Sequence, residues 1–101
     1  MSKKYKIQYL PISEKDLTEI IEYVQLDSPQ SALALLDEID RTISKLEDFP
    51  YIGKIPKDAR LQYLNYRILI VNSYLVFYVV KDDIVEIRRI LHGKRKYEFI
   101  L

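Results

Sequence analysis

The chain has 101 residues, of which 49% are hydrophobic and 31% charged, with a formal net charge of +1. This length suits one domain, 1–101, with one site at most; it excludes a substrate domain joined to a cofactor domain, and the composition excludes disorder and low complexity. The absence of cysteine excludes disulfides and thiolate zinc sites and is compatible with a reducing cytoplasm, where we expect the protein.

The beginning of the chain predicts a strand followed by a helix. Residues 4–10 alternate polar and apolar side chains, which is typical of a strand with one buried face. Pro11 ends this pattern, and Ser13 is a candidate N-cap of a first helix. The helix has one apolar stripe, formed by Leu17, Ile20, Ile21 and Val24. Its acidic residues are interpreted as a solvated face: Glu14, Asp16, Glu19 and Glu22.

A second helix follows almost at once. Ser28-Pro29 is a start signal, because proline suits the first helical position, where its missing N–H would have no intrahelical partner. Apolar residues at helical spacing then run from Ala32 to Leu46, which predicts a helix of about five turns that ends before Phe49-Pro50. The short connection predicts that the two helices form an antiparallel pair.

A loop and three strands are predicted for the remainder. Residues 49–60 contain three turn-forming residues and are predicted to be a loop: Pro50, Gly53 and Pro56. Three segments rich in β-branched and aromatic residues follow, 61–71, 74–81 and 84–92, with Asn72-Ser73 and Asp82-Asp83 between them. This pattern predicts a three-stranded antiparallel meander.

The predicted fold is therefore α+β, in the order β-α-α-β-β-β, with an antiparallel sheet and the antiparallel helix pair packed on one face. Segments 68–71 and 75–80 are apolar on both faces, which predicts a second cover on the other face; a partner is one candidate for it. The longest uncharged run, 68–80, has thirteen residues interrupted by Asn72-Ser73. It indicates a hairpin rather than a membrane span, and the apolar patch before Pro11 is too short for a signal-peptide core.

Charge is divided unevenly along the chain. Residues 1–48 have six Lys/Arg and ten Asp/Glu, a net −4, whereas residues 49–101 have ten and five, a net +5. Residues 88–96 contain five Lys/Arg and His92, with no acidic residue. This asymmetry favours a second half that meets a polyanion or an acidic peptide and a first half that is mainly scaffold. Alternatively, the two halves partly neutralise each other in the fold.

Three motifs, in this order of elements, carry a resemblance to a known family. They are Phe49-Pro50-x-x-Gly53 after the second helix, Tyr74-Leu-Val-Phe-Tyr78 in the next-to-last strand, and Arg89-Ile-Leu-His-Gly-Lys-Arg-Lys-Tyr97 at the end. Over nearly its whole length the chain resembles the RelE/ParE superfamily of toxins from bacterial type II toxin–antitoxin pairs. The resemblance implies a small toxin that halts growth, and a cognate antitoxin whose extended or helical segment wraps and blocks it.

The family divides by target, and one position bears on the division. In the ribosome-dependent endonuclease branch, an arginine that reaches the scissile phosphate commonly follows the aromatic residue that begins the third strand; here Leu75 follows Tyr74. RNA cleavage through the 2′-hydroxyl needs a base, an acid and a cation within hydrogen-bond reach. Another arginine could supply the cation, with His92 or Tyr97 as acid or base; the candidates are Arg67, Arg88 and Arg95.

The ending Arg-x-Leu-His-Gly-x-Arg is more similar to the ParE branch, whose members act on DNA gyrase and are not known as hydrolytic enzymes. The resemblance therefore favours a gyrase-directed toxin. One alternative is a ribosome-dependent endonuclease that cleaves mRNA on the ribosome. The other is a non-toxic relative that only binds an antitoxin.

Site residues are predicted for each reading. Target or anion binding is assigned to Arg67, Arg88, Arg89, His92, Lys94, Arg95 and Lys96. For an endonuclease the catalytic candidates are Arg67, His92, Arg95 and Tyr97. Antitoxin contacts are assigned to Tyr74, Tyr78, Tyr97, Phe99 and Leu101. We expect no metal, cofactor or small-molecule ligand, since the chain has no metal-ligand spacing around its single histidine and no glycine-rich phosphate loop.

Several of these residues also have a structural interpretation. Strand alternation places His92 with Arg88, and His92 is then a hydrogen-bonding residue near a strand end. Arg88 and Arg89 point to opposite faces, so one of them packs its stem over apolar neighbours or pairs with an acid of the helix layer. Arg67 in mid-strand requires an acidic partner or a bound anion. The segment 94–96 is alternatively a solvated charge run.

Overall fold

Two long helices form a hairpin over one face of a sheet. The computed structural model describes residues 4–101, apart from the side chain of Phe99. Helix α1 spans Pro11–Asp27 and helix α2 spans Pro29–Ser44. Between them Ser28 is the N-cap of α2, where its side chain accepts the Ser31 N–H at 3.2 Å. A single linking residue leaves the helices side by side, so the predicted antiparallel pair is confirmed.

Helix α1 begins earlier than predicted. Its N-cap is Leu10, which makes no side-chain cap, and proline occupies the first turn. Ser13, the predicted cap, is buried inside that turn and its hydroxyl donates to the Leu10 carbonyl at 2.7 Å. Asp16 is also buried, so its placement on a solvated face was wrong. The reason is tertiary: this side of α1 faces the last strand, which the periodicity of the helix alone does not reveal.

Four strands form one sheet, in the order β1-β4-β3-β2. They span Lys6–Tyr9 (β1), Tyr66–Val71 (β2), Tyr74–Lys81 (β3) and Ile84–His92 (β4). Strands β2, β3 and β4 are the predicted antiparallel meander. Strand β1 pairs with β4 in parallel, so the sheet is mixed rather than wholly antiparallel. No hairpin turn joins β1 to β4, and nothing local in the sequence therefore fixes their relative direction.

A short helix precedes β2 where the sequence pattern predicted strand. Helix α3 spans Ala59–Tyr63, and its N-cap Asp58 accepts the Leu61 N–H at 3.0 Å. The backbone then turns at Asn65, which has a φ of 65°, and β2 starts at the next residue. At the other end of the loop, a 3-10 turn at Lys45–Glu47 continues α2.

The sheet has a hydrophobic core on each face. The core under α1 and α2 includes Leu35, Ile39, Ile43, Leu69, Val76, Tyr78 and Ile87. The core on the opposite face includes Leu61, Tyr66, Ile68, Phe77, Val79 and Leu91. Three residues from the C-terminal segment pack against this second core: Tyr97, Ile100 and Leu101. The predicted second cover is therefore supplied, at least in part, by the chain itself.

The C-terminal segment is held in place by one further contact. It forms a 3-10 turn at Tyr97–Phe99, and the Arg60 Nη2 of α3 donates to the Glu98 carbonyl at 3.2 Å. None of the helices within residues 4–101 is long and apolar enough to cross a membrane.

Candidate functional site

A buried ion pair joins α1 to the end of β4. The Nε and Nη2 of Arg89 donate to the two carboxylate oxygens of Asp16 at 2.7 and 2.9 Å, and the Ile90 N–H donates to the same carboxylate at 3.0 Å. The side chains are 9% (Asp16) and 16% (Arg89) exposed. The hydrogen bond that Arg89 donates to the Asp16 carboxylate raises the pKa of Arg89 above its usual value. The expectation that one of the two arginines of β4 pairs with an acid of the helix layer is thus confirmed.

A bulge in β4 leaves Arg88 outside the pairing of β4 with β3. Phe77 pairs with Arg89 whereas Tyr78 pairs with Ile87, so Arg88 has no partner on β3. The Arg88 guanidinium instead donates to Glu86 at 2.8 and 3.1 Å and lies 5.7 Å from the ring centroid of Tyr66. This places Arg88 on the face of the second core.

His92 lies on the helix side of the sheet. The bulge shifts the alternation by one residue, and His92 lines a cleft together with Ile90, which packs in the core under the helices. Its grouping with Arg88 was therefore wrong, because strict alternation does not survive a bulge.

The cleft that contains His92 has a volume of about 310 Å³ and opens between α1 and the adjoining ends of β3 and β4. We call it the histidine cleft; its polar and aromatic lining comprises Asp16, Glu19, Tyr23, Tyr74, His92 and Arg95. The rings of His92 and Tyr74 meet edge to face, with centroids 5.3 Å apart. The Nδ1 of His92 accepts the Lys94 N–H at 3.1 Å. A ring nitrogen that accepts carries no proton, so the neutral His92 ring has its proton on Nε2.

The basic segment 94–96 forms an exposed turn beside this cleft. The Gly93 N–H donates to the Ser73 carbonyl at 2.8 Å, and the Arg95 N–H donates to the His92 carbonyl at 3.0 Å. The three side chains of the turn are exposed, and Arg95 is the one that lines the cleft. Positive charge is therefore concentrated at the edge of the histidine cleft.

Arg67 lies away from the histidine cleft. Its Nη1 donates to the carbonyls of Tyr51 and Gly53 at 2.9 and 3.0 Å, and its guanidinium is 5.2 Å from the ring centroid of Tyr51. Backbone carbonyls thus take the place of the acidic partner or anion that the sequence suggested. Arg67 pairs with Tyr78 on β3 whereas His92 pairs with Tyr74, so they are about 13 Å apart along the strand direction, at 3.3 Å per residue.

A larger cleft, of about 540 Å³, lies on the opposite face of the sheet. We call it the lysine cleft; its lining includes Lys54, Lys57, Ile70, Leu75, Tyr97 and Glu98. Tyr97 packs against Phe77 with ring centroids 4.9 Å apart. Leu75, which follows Tyr74, contributes an apolar wall to this cleft. Tyr97 and His92, two of the predicted catalytic candidates, therefore line different clefts on different faces.

Lys54 and Lys57 were not among the predicted site residues. They flank Ile55-Pro56 in the segment that was interpreted as a connecting loop. The loop runs along the edge of the sheet, because Lys54 and Ile68 exchange backbone hydrogen bonds at 2.9 Å in both directions. In the sequence, the two lysines stand out only as basic residues among apolar ones. The bridge between Lys54 and Ile68, which brings the loop to the sheet, is needed to see that they line a cleft.

The predicted antitoxin contacts occupy different environments. Tyr74 is half-buried at the histidine cleft, and Leu101 is half-buried against the second core. Tyr78 is fully buried, and its burial raises the pKa of its hydroxyl; it is a core residue rather than a surface residue. The side chain of Phe99 lies outside the described part of the structure.

An exposed apolar rim borders the lysine cleft. Ile55 of the loop and Ile70 of the edge strand β2 line this cleft and are 58% and 57% exposed. The same loop also exposes Phe49, Tyr51 and Ile52. Exposed apolar side chains at the border of a cleft are typical of a surface that contacts another protein. Clusters of His, Asp and Glu that could hold a metal ion are absent from residues 4–101.

Comparisons with known proteins agree with this architecture. A family model described as the ParE toxin of the type II toxin–antitoxin system parDE matches residues 7–97. No curated protein sequence matches the chain. Among solved structures, the chain is similar to the chromosomal ParDE toxin–antitoxin system from P. aeruginosa, with 20% identity, a TM-score of 0.75, and coverage of 92% of this chain and 100% of that chain.

Two further structures share the fold. One is the toxin–antitoxin complex RelBE2 from Mycobacterium tuberculosis, with 17% identity, a TM-score of 0.62, and coverage of 88% of this chain and 98% of that chain. The other is a conserved hypothetical protein from Helicobacter pylori, with 21% identity, a TM-score of 0.55, and coverage of 90% of this chain and 97% of that chain.

Proposed function

The chain belongs to the family of ParE toxins of type II toxin–antitoxin systems, and from this premise we propose that it halts growth by binding DNA gyrase, without hydrolytic chemistry, and that a cognate antitoxin neutralises it. One observation supports binding over cleavage. The lysine cleft has Leu75 where an endonuclease of the superfamily places its phosphate-binding arginine, and neither His92 nor Arg95 lines that cleft. His92 and Arg95 share the histidine cleft, whereas Tyr97 lines the lysine cleft and Arg67 lies away from both, so the four predicted catalytic residues do not converge.

The tautomer of His92 supports the same proposal. Because Nδ1 accepts the Lys94 N–H, the neutral ring has no free basic nitrogen until that hydrogen bond breaks. A general base has to accept a proton from its substrate within hydrogen-bond distance. We therefore assign His92 a structural part in shaping the turn 93–96, and assign target contact to the exposed basic residues of that turn.

The test is a DNA supercoiling assay with purified gyrase and the purified chain. Reversal of charge in Arg95→Glu should weaken inhibition about tenfold, because it places a negative charge in the basic contact surface. The matched control is Lys81→Glu, at an exposed lysine at the end of β3 away from the histidine cleft, which should inhibit like the wild type. His92→Ala should retain most of the inhibition if it remains folded. Absence of any effect on gyrase at saturating protein would rule out the proposed target.

A ribosome-dependent endonuclease is the second candidate, and the lysine cleft is the observation that favours it. Lys54, Lys57 and Tyr97 together line a cleft large enough for a nucleotide. This reading predicts mRNA fragments that form only during translation and that disappear in Lys54→Ala and Tyr97→Phe. The gyrase reading predicts no such fragments during full growth arrest. A soluble chain that impairs neither process would be the non-toxic, antitoxin-binding relative.

We place the antitoxin on the apolar rim of the lysine cleft. The rim exposes Ile55 and Ile70 beside two lysines, a combination that suits an amphipathic acidic segment. Co-expression with the cognate antitoxin should restore growth to cells that produce the toxin. Ile55→Glu should lower that protection, whereas Leu64→Glu, at an exposed leucine away from the cleft, should leave it unchanged. Equal effects of the two changes would contradict this placement.

A further inference from the structure

Exposed charge is divided unevenly over the surface. Acidic side chains are exposed along α1, at Glu14, Glu19, Glu22 and Asp27. Basic side chains are exposed in the loop after α2 and in the turn 93–96, at Lys54, Lys57, Lys94 and Lys96. Within residues 4–101, one ion pair joins the negative first half of the chain to the positive second half, that between Asp16 and Arg89. The charge asymmetry of the sequence therefore persists in the fold.

These four lysines lie around one cleft. The two in the loop line the lysine cleft directly. The other two belong to the turn 93–96, and both ends of that turn border the same cleft. Tyr97, the residue after the turn, lines the cleft. At the start of the turn, a Cβ on Gly93 would be 4.0 Å from the Cγ of Leu75, which is also a lining residue.

The positive charge around the cleft is not neutralised by the chain. None of the four lysines forms an ion pair within residues 4–101. Two carboxylates line the cleft, those of Asp58 and Glu98. Asp58 is engaged as the N-cap of α3, where its Oδ1 accepts the Leu61 N–H at 3.0 Å. Four positive charges therefore face two negative ones, and the excess attracts an anion from outside the chain.

The two pairs of lysines are too far apart for one small anion. Lys54 is bridged to Ile68 of β2, whose partners across the sheet are Phe77 and, beyond it, Arg89. From the loop to β4 there are three strand spacings of about 4.8 Å, and Gly93 lies four residues beyond Arg89 at about 3.3 Å each, which gives a distance of about 20 Å. Duplex DNA of that length has about six phosphates on each strand. The spacing therefore suits an extended polyanion.

We propose that the lysine cleft and the turn 93–96 bind the phosphate backbone of duplex DNA. Lys54 and Lys57 contact phosphates at one end of this surface, and Lys94 and Lys96 contact phosphates at the other. DNA suits the surface better than an acidic peptide does, since it carries one negative charge per about 1.7 Å of its axis. The acidic helix α1 packs on the other face of the sheet, where it does not oppose this contact.

This binding does not require gyrase, but it has a consequence for both partners proposed above. Gyrase holds DNA, so Arg95 at the histidine cleft can meet the enzyme while the lysines meet its DNA. An acidic antitoxin segment on the rim of the lysine cleft lies beside Lys54 and Lys57 and displaces the DNA from them. Neutralisation then includes direct competition with DNA.

The test measures the binding of the full chain, without gyrase, to a labelled duplex of about 20 base pairs by fluorescence anisotropy between about 50 and 200 mM salt. Four phosphate contacts predict a slope of about −3.6 for the logarithm of the affinity against the logarithm of the salt concentration. Lys54→Ala should weaken binding severalfold and reduce the magnitude of the slope by about one. The double change Lys94→Ala, Lys96→Ala should reduce it by about two. Lys81→Ala, at an exposed lysine outside both clefts, should change neither quantity.

Lys54→Ala removes an exposed side chain and keeps the backbone bridge to Ile68, so the variant should remain folded. Three results would overturn the proposal: no binding at about 50 mM salt, equal losses in Lys54→Ala and Lys81→Ala, or tighter binding of single-stranded RNA of the same length. The result is separable from that of the supercoiling assay. DNA binding without inhibition of gyrase would refute the proposed target alone, and inhibition of gyrase without DNA binding would refute this inference alone.

Discussion

The hydroxyl of Tyr78, at the centre of β3, accepts the backbone N–H of Gly53 at 2.9 Å and so fastens the loop after α2 to the sheet. The approach is close: a Cβ on Gly53 would lie 2.5 Å from the Tyr78 hydroxyl oxygen and 2.7 Å from its Cε1. Glycine is required here for space rather than for its backbone conformation, since its φ is not positive. The contact holds Lys54, the next residue, in register with Ile68.

Gly53→Ala should destabilise the protein by about 2 kcal/mol, because the added methyl group overpacks a buried site and displaces the hydroxyl from its donor. Urea denaturation measures the change in the free energy of unfolding. Gly93→Ala is the matched control: a Cβ there would be 3.3 Å from the Ser73 carbonyl oxygen and 4.0 Å from Leu75 Cγ. Its effect should be much smaller, and equal losses in the two variants would contradict the steric explanation.

Asp16→Ala should lower the free energy of unfolding by about 3 kcal/mol. The change leaves the largely buried Arg89 guanidinium and the Ile90 N–H without their shared acceptor. Glu22→Ala, which removes an exposed carboxylate from the same helix, should change stability by less than about 0.5 kcal/mol. Thermal and urea unfolding both measure this difference. The double variant Asp16→Ala, Arg89→Ala should cost less than the sum of the single changes. Additive losses would argue against a direct coupling.

Stability should fall as the pH rises from 10 to 12, partly because of Tyr9. Burial, helped by Asp40, raises the pKa of Tyr9 to about 12 from an ordinary value near 10. The unfolded chain therefore releases this proton first, and the contribution is complete below pH 10 and lost as pH approaches 12. Tyr9→Phe should lose less stability across that window. Tyr63→Phe, at a tyrosine that is 85% exposed, should follow the wild type.

Asn65→Ala should destabilise the protein by about 1 kcal/mol more than Asn65→Gly. Both changes remove the same side chain, but only alanine is strained at the φ of 65° that the turn between α3 and β2 requires. The difference between the urea unfolding midpoints of the two variants measures the cost of the positive φ alone. A glycine variant no more stable than the alanine variant would mean that the turn can relax.

Much of the architecture could be predicted, because it is encoded locally. Ser28-Pro29 at the start of α2 predicts the helix hairpin, and the β-branched and aromatic segments separated by Asn72-Ser73 and Asp82-Asp83 predict the meander. The parallel pairing of β1 with β4 could not be predicted, since it joins distant segments without a turn. The bulge at Arg88 was also missed, because one extra residue in a strand leaves no compositional mark.

The clefts were less accessible to sequence reasoning than the fold. The basic ending indicated the histidine cleft, and His92 and Arg95 do meet there. Tyr97 was grouped with them because it is close in sequence, and Arg67 because of its charge. Neither property shows on which face of the sheet, or at which end of a strand, a side chain lies. The lysine cleft depends on a bridge between Lys54 and Ile68 and on the return of the C-terminal segment, both of which are tertiary.

The pairing of β1 with β4 also determines the stage of synthesis at which the toxin can fold. Asp16 and Arg89 are 73 residues apart in the chain, and the parallel edge of the sheet spans a similar separation. During synthesis, β1 has no strand to pair with and Asp16 has no arginine partner until β4 has left the ribosome, so the complete sheet forms late. An incomplete chain therefore has no histidine cleft, and its apolar helices are open to chaperones or proteases.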